Sequence, residues 1–266
     1  VTQQKIIDKS TIGGILVAAL GIIAGLLLDG GSLRQILQPT AAFIVFGGTL
    51  GAVMVQFPLQ TLRQALRGLR QVFVESKPPT PDSVEVLLGY AQKARRRGLI
   101  ALDADLKDIK DPFLRKCLTG AVDGMQREPL RELMEIEMSN EEEKEEGGAK
   151  VLEAAGGFAP TVGIIGAVMG LIQVMQRLDN ISEVGKGIAV AFVATLYGVG
   201  SANLLFLPLA GKMRIRARET QLLRELMLEA ALSIADGTSP RALRDKLTAH
   251  LEDALRPKPE ASVVVQ

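Results

Sequence analysis

The chain has 266 residues, 47% of them hydrophobic and 23% charged, with a mean hydropathy of +0.22 and a formal net charge of +1. High apolarity beside ordinary charge implies segregation into apolar blocks for lipid and charged blocks for water, rather than a soluble globule or a nucleic-acid-binding surface. One cysteine, Cys117, excludes an internal disulfide, and one histidine, His250, leaves little for a metal site, so no cofactor or metal is expected.

Ser10 to Leu28 carries no charge and approaches the roughly 20 residues a spanning helix needs. Lys5 and Lys9 resemble the basic flank of a signal peptide, but the run is long for its apolar core and no clear small-residue cleavage site follows. Gly14, Ala18, Gly21 and Gly25 form a small-residue stripe suited to close helix packing. Asp29-Gly30-Gly31-Ser32 is a turn signal, and a second uncharged run extends from Gln35 to Leu62, with a Gly47/Gly51 pair at its centre. Leu62, Leu66, Leu69 and Phe73 recur at helical spacing, which predicts that the second membrane helix continues into water until Pro78-Pro79-Thr80-Pro81.

A charged, helical stretch follows. Asp82 or Ser83 is the expected cap of a helix through Arg97, with Gly98 as its stop. A second helix is expected from Pro112 to Met125 behind an Asp111 cap. A third starts near Pro129, carries the acidic tract Glu135 to Glu146, and could run into the third apolar run. That run lies between Glu153 and Arg177, and the fourth between Lys186 and Lys212. The basic flank Lys212, Arg214, Arg216 and Arg218 leads into an amphipathic helix to Ala235 and a turn at Asp236-Gly237-Thr238. A last helix, capped by Ser239 and opened by Pro240, runs to about Leu255, and a disordered tail is expected from Pro257. With no tryptophan in the chain, the interfacial aromatics reduce to Phe57, Tyr197 and Phe206.

Lys and Arg are sparse in the links after the first and third runs and dense after the second and fourth, so the positive-inside rule places both termini in the cytoplasm. The expected protein is all-α: an integral membrane protein with four transmembrane helices and a helical cytoplasmic domain. Its divisions are a first hairpin at 1–62 (spans 11–28 and 41–57), a cytoplasmic domain at 63–153, a second hairpin at 154–211 (spans 156–176 and 187–210), and C-terminal helices and tail at 212–266. Gly156 to Ala210 is the centre of the reading: two uncharged runs, each with a proline, Pro160 and Pro208, towards the cytoplasmic end, where a helix could flex. None of the four runs holds Asp, Glu, Lys, Arg or His, whereas a proton relay needs a titratable group at membrane depth. Either this chain transports nothing or a partner supplies that group. The polar content of the hairpin is Thr161, Gln173, Thr195, Tyr197, Ser201 and Asn203, and the plainer role for each is helix glue across the hairpin. An enzyme is not expected, because no phosphate loop, metal cluster or nucleophile constellation is present.

Several stretches carry a resemblance. Pro160 followed by Gly163-Ile164-Ile165-Gly166-Ala167-Val168-Met169-Gly170, Thr195-Leu196-Tyr197-Gly198 followed by Pro208, Lys93 to Asp103, and Asp236-Gly237-Thr238-Ser239-Pro240-Arg241 resemble the flagellar stator subunits of the MotA/TolQ/ExbB family over nearly the whole chain. The resemblance implies a homo-oligomer, a pentameric ring around a dimer of a MotB-like single-span subunit whose aspartate carries the ion. Ion flow would turn the ring in the bacterial inner membrane, and its cytoplasmic domain would push the rotor switch protein FliG. It also implies an ion pathway past Thr195, Ala167 and Ala194, hinges at Pro160 and Pro208, and a rotor contact at Arg95 and Asp103 that Arg96 and Arg97 could share. The plainer reading of that contact is a solvated helix end with charges complementing its dipole. Sodium-type relatives carry threonines where Ala167 and Ala194 stand, so fewer oxygens line this wall and protons are expected. The alternatives are a sodium-driven stator, a TolQ/ExbB-like energiser of outer-membrane processes, which has three spans, and a membrane scaffold without ion traffic.

Overall fold

The computed structural model describes residues 6–75 and 81–255. Four helices among them are long and apolar enough to cross a membrane, and the rest of the described chain is almost entirely helical. Two compact units emerge: one takes described residues 6–75 and 143–216, the other 81–142 and 217–255.

The first unit holds the apolar helices. Helix α1 spans Lys9–Leu28, with Asp8 as its N-cap accepting from the backbone N–H groups of Ser10 and Thr11. Twenty residues give about 30 Å of helix, enough to cross the hydrocarbon core. A one-turn helix α2, Leu33–Ile36, links it to α3, Pro39–Ala42, which runs through a π-helical stretch at Phe43–Gly47 into α4, Gly48–Gln56. The expected continuation into water does not occur. Phe57 is extended because the ring of Pro58 disfavours helical backbone in the residue before it, and α5, Leu59–Val72, starts afresh. Phe73 lies beyond α5, not on its apolar stripe. A two-residue antiparallel pairing joins β1, Ile6–Ile7, to β2, Val74–Glu75. The expected stop at 78–80 and the tail from Pro257 lie outside the described residues.

The second unit begins with α6, Pro81–Arg97. Asp82 and Ser83 therefore sit inside its first turn rather than capping it. Gly98, at φ 83°, ends α6 as expected, and a 3-10 turn, Leu99–Leu102, leads to α7, Asp103–Leu106. Helix α8, Pro112–Val122, is capped by Asp111, whose carboxylate accepts from Phe113 and Leu114. It ends three residues before the expected Met125, because Gly124, at φ 78°, turns the chain out of the helix. Helix α9, Arg127–Gln176, is one continuous run of 50 residues that contributes to both units and carries the acidic tract and Pro160 without interruption. After Asn180 as N-cap come α10, Ile181–Ser201, a π-helical stretch at Ala202–Phe206, and α11, Leu207–Ala235. Helix α12, Pro240–Leu255, follows the Gly237 turn, with the Ser239 hydroxyl accepting from the Ala242 N–H.

The water-side unit has an ordinary core: Leu88, Leu102, Leu114, Leu118, Leu130 and Leu232 are at most 2% exposed. Cys117 lies in it fully buried, and burial pushes its thiol pKa up to about 12, so it is a packing residue and not a nucleophile.

Candidate functional site

The apolar hairpin is joined by glycine. A Cβ built on Gly163 would lie 2.9 Å from the Ala194 carbonyl oxygen, one on Gly170 2.7 Å from that of Gly187, and one on Gly198 2.5 Å from that of Ala159. Helices α9 and α10 therefore touch backbone to backbone between Ala159–Val174 and Gly187–Gly198, the close approach that small residues permit where lipid offers no hydrophobic drive between helices. Gly156 receives the Leu207 side chain in the same way, which brings the neighbourhoods of Pro160 and Pro208 to one end of the hairpin. The π-helical stretch immediately before Pro208, with the Leu207 N–H bonded to the Ala202 carbonyl, is the irregularity that accompanies a helix residue lacking its own N–H.

Four of the six polar residues bond inside their own helices and not across the hairpin. Thr195 donates to the Ala191 carbonyl at 3.3 Å, Ser201 to Gly198 at 3.2 Å, Thr161 to Phe158 at 2.8 Å and Asn203 to Val199 at 2.9 Å, all within their own helices. Short side chains on a helix reach the preceding turn more readily than a neighbouring helix. Tyr197 differs. Its hydroxyl donates to the Ile36 carbonyl at 2.5 Å and accepts from the Gln38 N–H at 3.3 Å, and its ring stacks on Phe46 at 5.9 Å. It fastens the link of the first hairpin to α10 instead of serving as a belt residue.

Of the expected ion-pathway residues, Thr195 and Ala167 are half-buried and retain an open side. Ala194 is 0% exposed, packed against Gly166 and in one cluster with Ala41 and Val45. It has no open side within this chain. Gly163, Gly166, Gly170 and Gly198 are likewise occupied by contacts within the chain.

Sequence reasoning passed over Asp8. Its carboxylate is 5% exposed and accepts from the Ser10 hydroxyl at 2.6 Å, Lys212 at 2.9 Å and Arg216 at 2.6 Å. The Ser10 hydrogen bond first, and Lys212 next, hold it far below the usual carboxylate range against the effect of burial. The acid-x-Ser-Thr pattern ahead of an apolar run was a legible cap signal; the pairing with residues 204 and 208 positions away was not.

In the water-side unit the expected contact residues gather on one turn. The Asp103 side chain is exposed and makes no hydrogen bond or ion pair with the described residues, and the same holds for the side chains of Arg96 and Arg97. Arg95 is tied: its guanidinium donates to the Gly237 carbonyl at 2.9 Å. That turn is itself held, because Arg127 pairs with Asp236 and, at 3.4 Å, with Glu229, which Lys246 also contacts at 2.5 Å. Burial would lower the Arg127 pKa, but Asp236 and Glu229 together more than offset this and raise it. Burial likewise pushes the Glu229 carboxyl up, and Lys246 and Arg127 bring it below its ordinary value. Lys93, whose ammonium bonds both Asp105 oxygens at 2.5 and 2.6 Å, clips α7 to α6 and fixes where Asp103 stands. The Lys93–Asp103 and Asp236–Arg241 stretches, singled out separately in the sequence, are thus one structure.

Comparison with known proteins follows this geometry. Residues 105–226 match the MotA/TolQ/ExbB proton channel family, and residues 12–98 match the Motility protein A N-terminal family. The chain is similar to Motility protein A of Bacillus subtilis (strain 168), 36% identical over 245 residues that cover 92% of this chain and 91% of that one. It is 33% identical to Motility protein A of Helicobacter pylori (strain ATCC 700392 / 26695) over 240 residues, 90% of this chain and 93% of that one. Among solved structures it resembles C. jejuni MotAB, with a TM-score of 0.86, 32% identity and coverage of 91% and 95% of the two chains. It also resembles the flagellar MotAB stator complex from Bacillus subtilis, with a TM-score of 0.83, 36% identity and coverage of 91% and 96%. Similarity that runs through both hairpins and the charged unit alike makes this chain a member of the MotA/TolQ/ExbB proton channel family.

Proposed function

We propose that the chain is a stator subunit of a bacterial flagellar motor that, with a single-span MotB-like partner, conducts protons and converts their flow into torque. The observation that carries this is the match to MotAB stator structures over 91% of this chain, beside family matches at residues 12–98 and 105–226 that take in the first hairpin and much of the water-side unit as well as the channel-like helices. The four apolar runs hold no titratable side chain, so the proton carrier belongs to the partner and this chain supplies one wall. Thr195 and Ala167 face the path, Ala194 sets the spacing behind them, and Pro160 and Pro208 flex at the inner end. Five copies form a ring in the inner membrane with both termini in the cytoplasm, consistent with the basic flanks after α4 and α10. Arg95, Arg96, Arg97 and Asp103 meet the rotor switch protein FliG. The reading assigns no catalysis to the chain.

One charge crossing about 100 mV yields about 2.3 kcal/mol, so torque needs many small steps over a smooth surface. Deletion of the coding sequence should leave flagella assembled and motionless, and the full chain supplied in trans should restore rotation. Normal swimming of the deletion strain would exclude this chain as the sole stator subunit. Rotation that stops when sodium is withdrawn at fixed proton-motive force would overturn the proton assignment. Charge reversal at Arg96, Arg97 and Asp103 should lower torque without removing the protein from the membrane.

A further inference from the structure

The turn that carries the candidate rotor contact holds one residue that charge does not explain. Ile100 is 81% exposed, more than any other large apolar side chain among the described residues of the water-side unit; Ile136, at 62%, is next. Single exposed apolar residues are ordinary on protein surfaces, so exposure alone decides nothing. What distinguishes Ile100 is that its support is fixed on every side. Gly98 starts the turn at φ 83°, and the 3-10 geometry of Leu99–Leu102 puts Leu99 and Leu102 on one face, three residues apart. Leu102 is 0% exposed and Leu99 packs against the same core, so Ile100 projects about a third of a turn away from that inward face. Leu106 is buried one turn further on, and the Lys93–Asp105 pair closes the loop from the other side. The isoleucine cannot fold inward without unseating Leu102.

Arg96 and Arg97 border this knob on one side and Asp103 on the other, all exposed and unpaired with the described residues. Exposed ion pairs are individually weak and screened by salt, whereas energetic anchors of interfaces are desolvated side chains ringed by polar ones. We propose that Ile100 is an apolar anchor of the rotor contact, seated in an apolar notch of the rotor protein whose acidic rim meets Arg96 and Arg97 and whose basic rim meets Asp103. This rests on the rotor reading of the turn. It adds a non-electrostatic component to that contact: charges orient the approach, and the isoleucine holds each step long enough to transmit force.

The test uses cells lacking their own copy that express the full chain with its single-span partner. Torque per stator unit is read from the speed steps of a bead-loaded motor at high load, alongside membrane abundance and the size of the extracted complex. Ile100→Ser should lower torque per unit at least threefold with abundance and size unchanged, and Ile100→Leu should retain most of it. Wild-type torque from Ile100→Ser overturns the proposal. So does loss of torque together with loss of the complex, which would place Ile100 against a second copy of this chain. Charge reversals at Arg96, Arg97 and Asp103 in the same assay separate the two levels. If they abolish torque while Ile100→Ser is silent, the rotor reading stands and the anchor falls. If the reversals are silent, the electrostatic part of the rotor reading falls, and the anchor is decided by the Ile100 variants alone.

Discussion

In the second hairpin, a Cβ added at Gly163, Gly170, Gly187 or Gly198 would come within 3.0 Å of the opposite helix; in the first, Gly14, Gly21, Gly25, Gly47 and Gly51 meet nothing within 4 Å. Both hairpins carry glycine at helical spacing, but only the second uses it along a helix–helix crossing; the first uses Gly48 alone, against Val162. The second is a rigid pair, backbone against backbone, fit to be a wall that keeps its shape while an ion passes. The first is attached differently. None of the residues of α1 is buried, and its firm tie is polar, the Asp8 clamp at its N-terminal end. Helix α4 docks through the Gly48 notch that receives Val162 and through Val53, buried in one cluster with Val151 and Ala155, and the link between the helices is held by Tyr197. A glycine in a membrane helix therefore says only that a neighbour is permitted, not that one is present.

The sharpest way to break this comparison is to fill the crossing of α9 and α10. In Gly198→Ala the new methyl group would press on the Ala159 carbonyl and lie 3.0 Å from the Gly163 Cα, neither of which is the yielding end of a flexible side chain. Overpacking of this kind costs about 3 kcal/mol or more when backbone must move. The midpoint of unfolding of the extracted protein and its membrane abundance should both fall. An unchanged midpoint would mean that the two helices are not in backbone contact.

Next in size is the clamp on α1. Asp8→Asn removes the charge that Lys212 and Arg216 share and should cost about 2 kcal/mol, the scale of hydrogen bonds to charged groups. The sign with pH follows from a carboxyl held below its ordinary value. The stabilisation is complete above the unfolded-state pKa of about 4 and is lost only as pH falls below that, towards the lower folded value. The gap between wild type and Asp8→Asn should stay constant from pH 8 to 5 and close in more acidic buffer. A gap that closes near neutrality would assign the clamp to another group.

Tyr197→Phe tests the link. The ring stack on Phe46 would survive, but the Ile36 carbonyl would lose its donor and the Gln38 N–H its acceptor, at about 1–2 kcal/mol. Hydrogen exchange should quicken at residues 33–38 and stay unchanged across α9. Equal quickening in both would make Tyr197 a general stabiliser of the hairpin instead.

How much of this was legible in the sequence depends on the range of the cause. The four apolar runs were plain because lipid excludes charge over a whole helix, and Asp111, Gly98 and Gly237 gave themselves away because caps and left-handed turns are local chemistry. The break at Phe57-Pro58 was legible too, but the Leu62/Leu66/Leu69 period drew the helix through it. The π-helical stretch at Ala202–Phe206 has a local cause in Pro208, whereas the one at Phe43–Gly47 carries no signature of its own. The clamp on Asp8 and the tie from Arg95 to Gly237 join residues 142 or more positions apart, so nothing in their spacing announces them. Exposure was legible only in part: Thr195 and Ala167 keep an open side, whereas the burial of Ala194 depends on Ala41, Val45 and Gly166 arriving from two other helical segments.

The smallest expected effect sharpens the comparison most. Gly21→Ala adds a methyl group to a face of α1 that meets nothing within 4 Å in this chain. Alanine is the better helix former by about 1 kcal/mol in water, and less of that difference should remain in lipid, so the isolated chain should be unchanged or slightly more stable. The measurement is paired: the unfolding midpoint of the chain alone, and the size of the complex assembled with its partner. No change in either leaves the glycines of α1 facing lipid. A normal chain that fails to assemble would mean that a helix from outside this chain lies along Gly14, Gly21 and Gly25, at the same close approach that α9 and α10 make within it. A loss of stability in the isolated chain would contradict the open face itself, and with it the contrast between the hairpins.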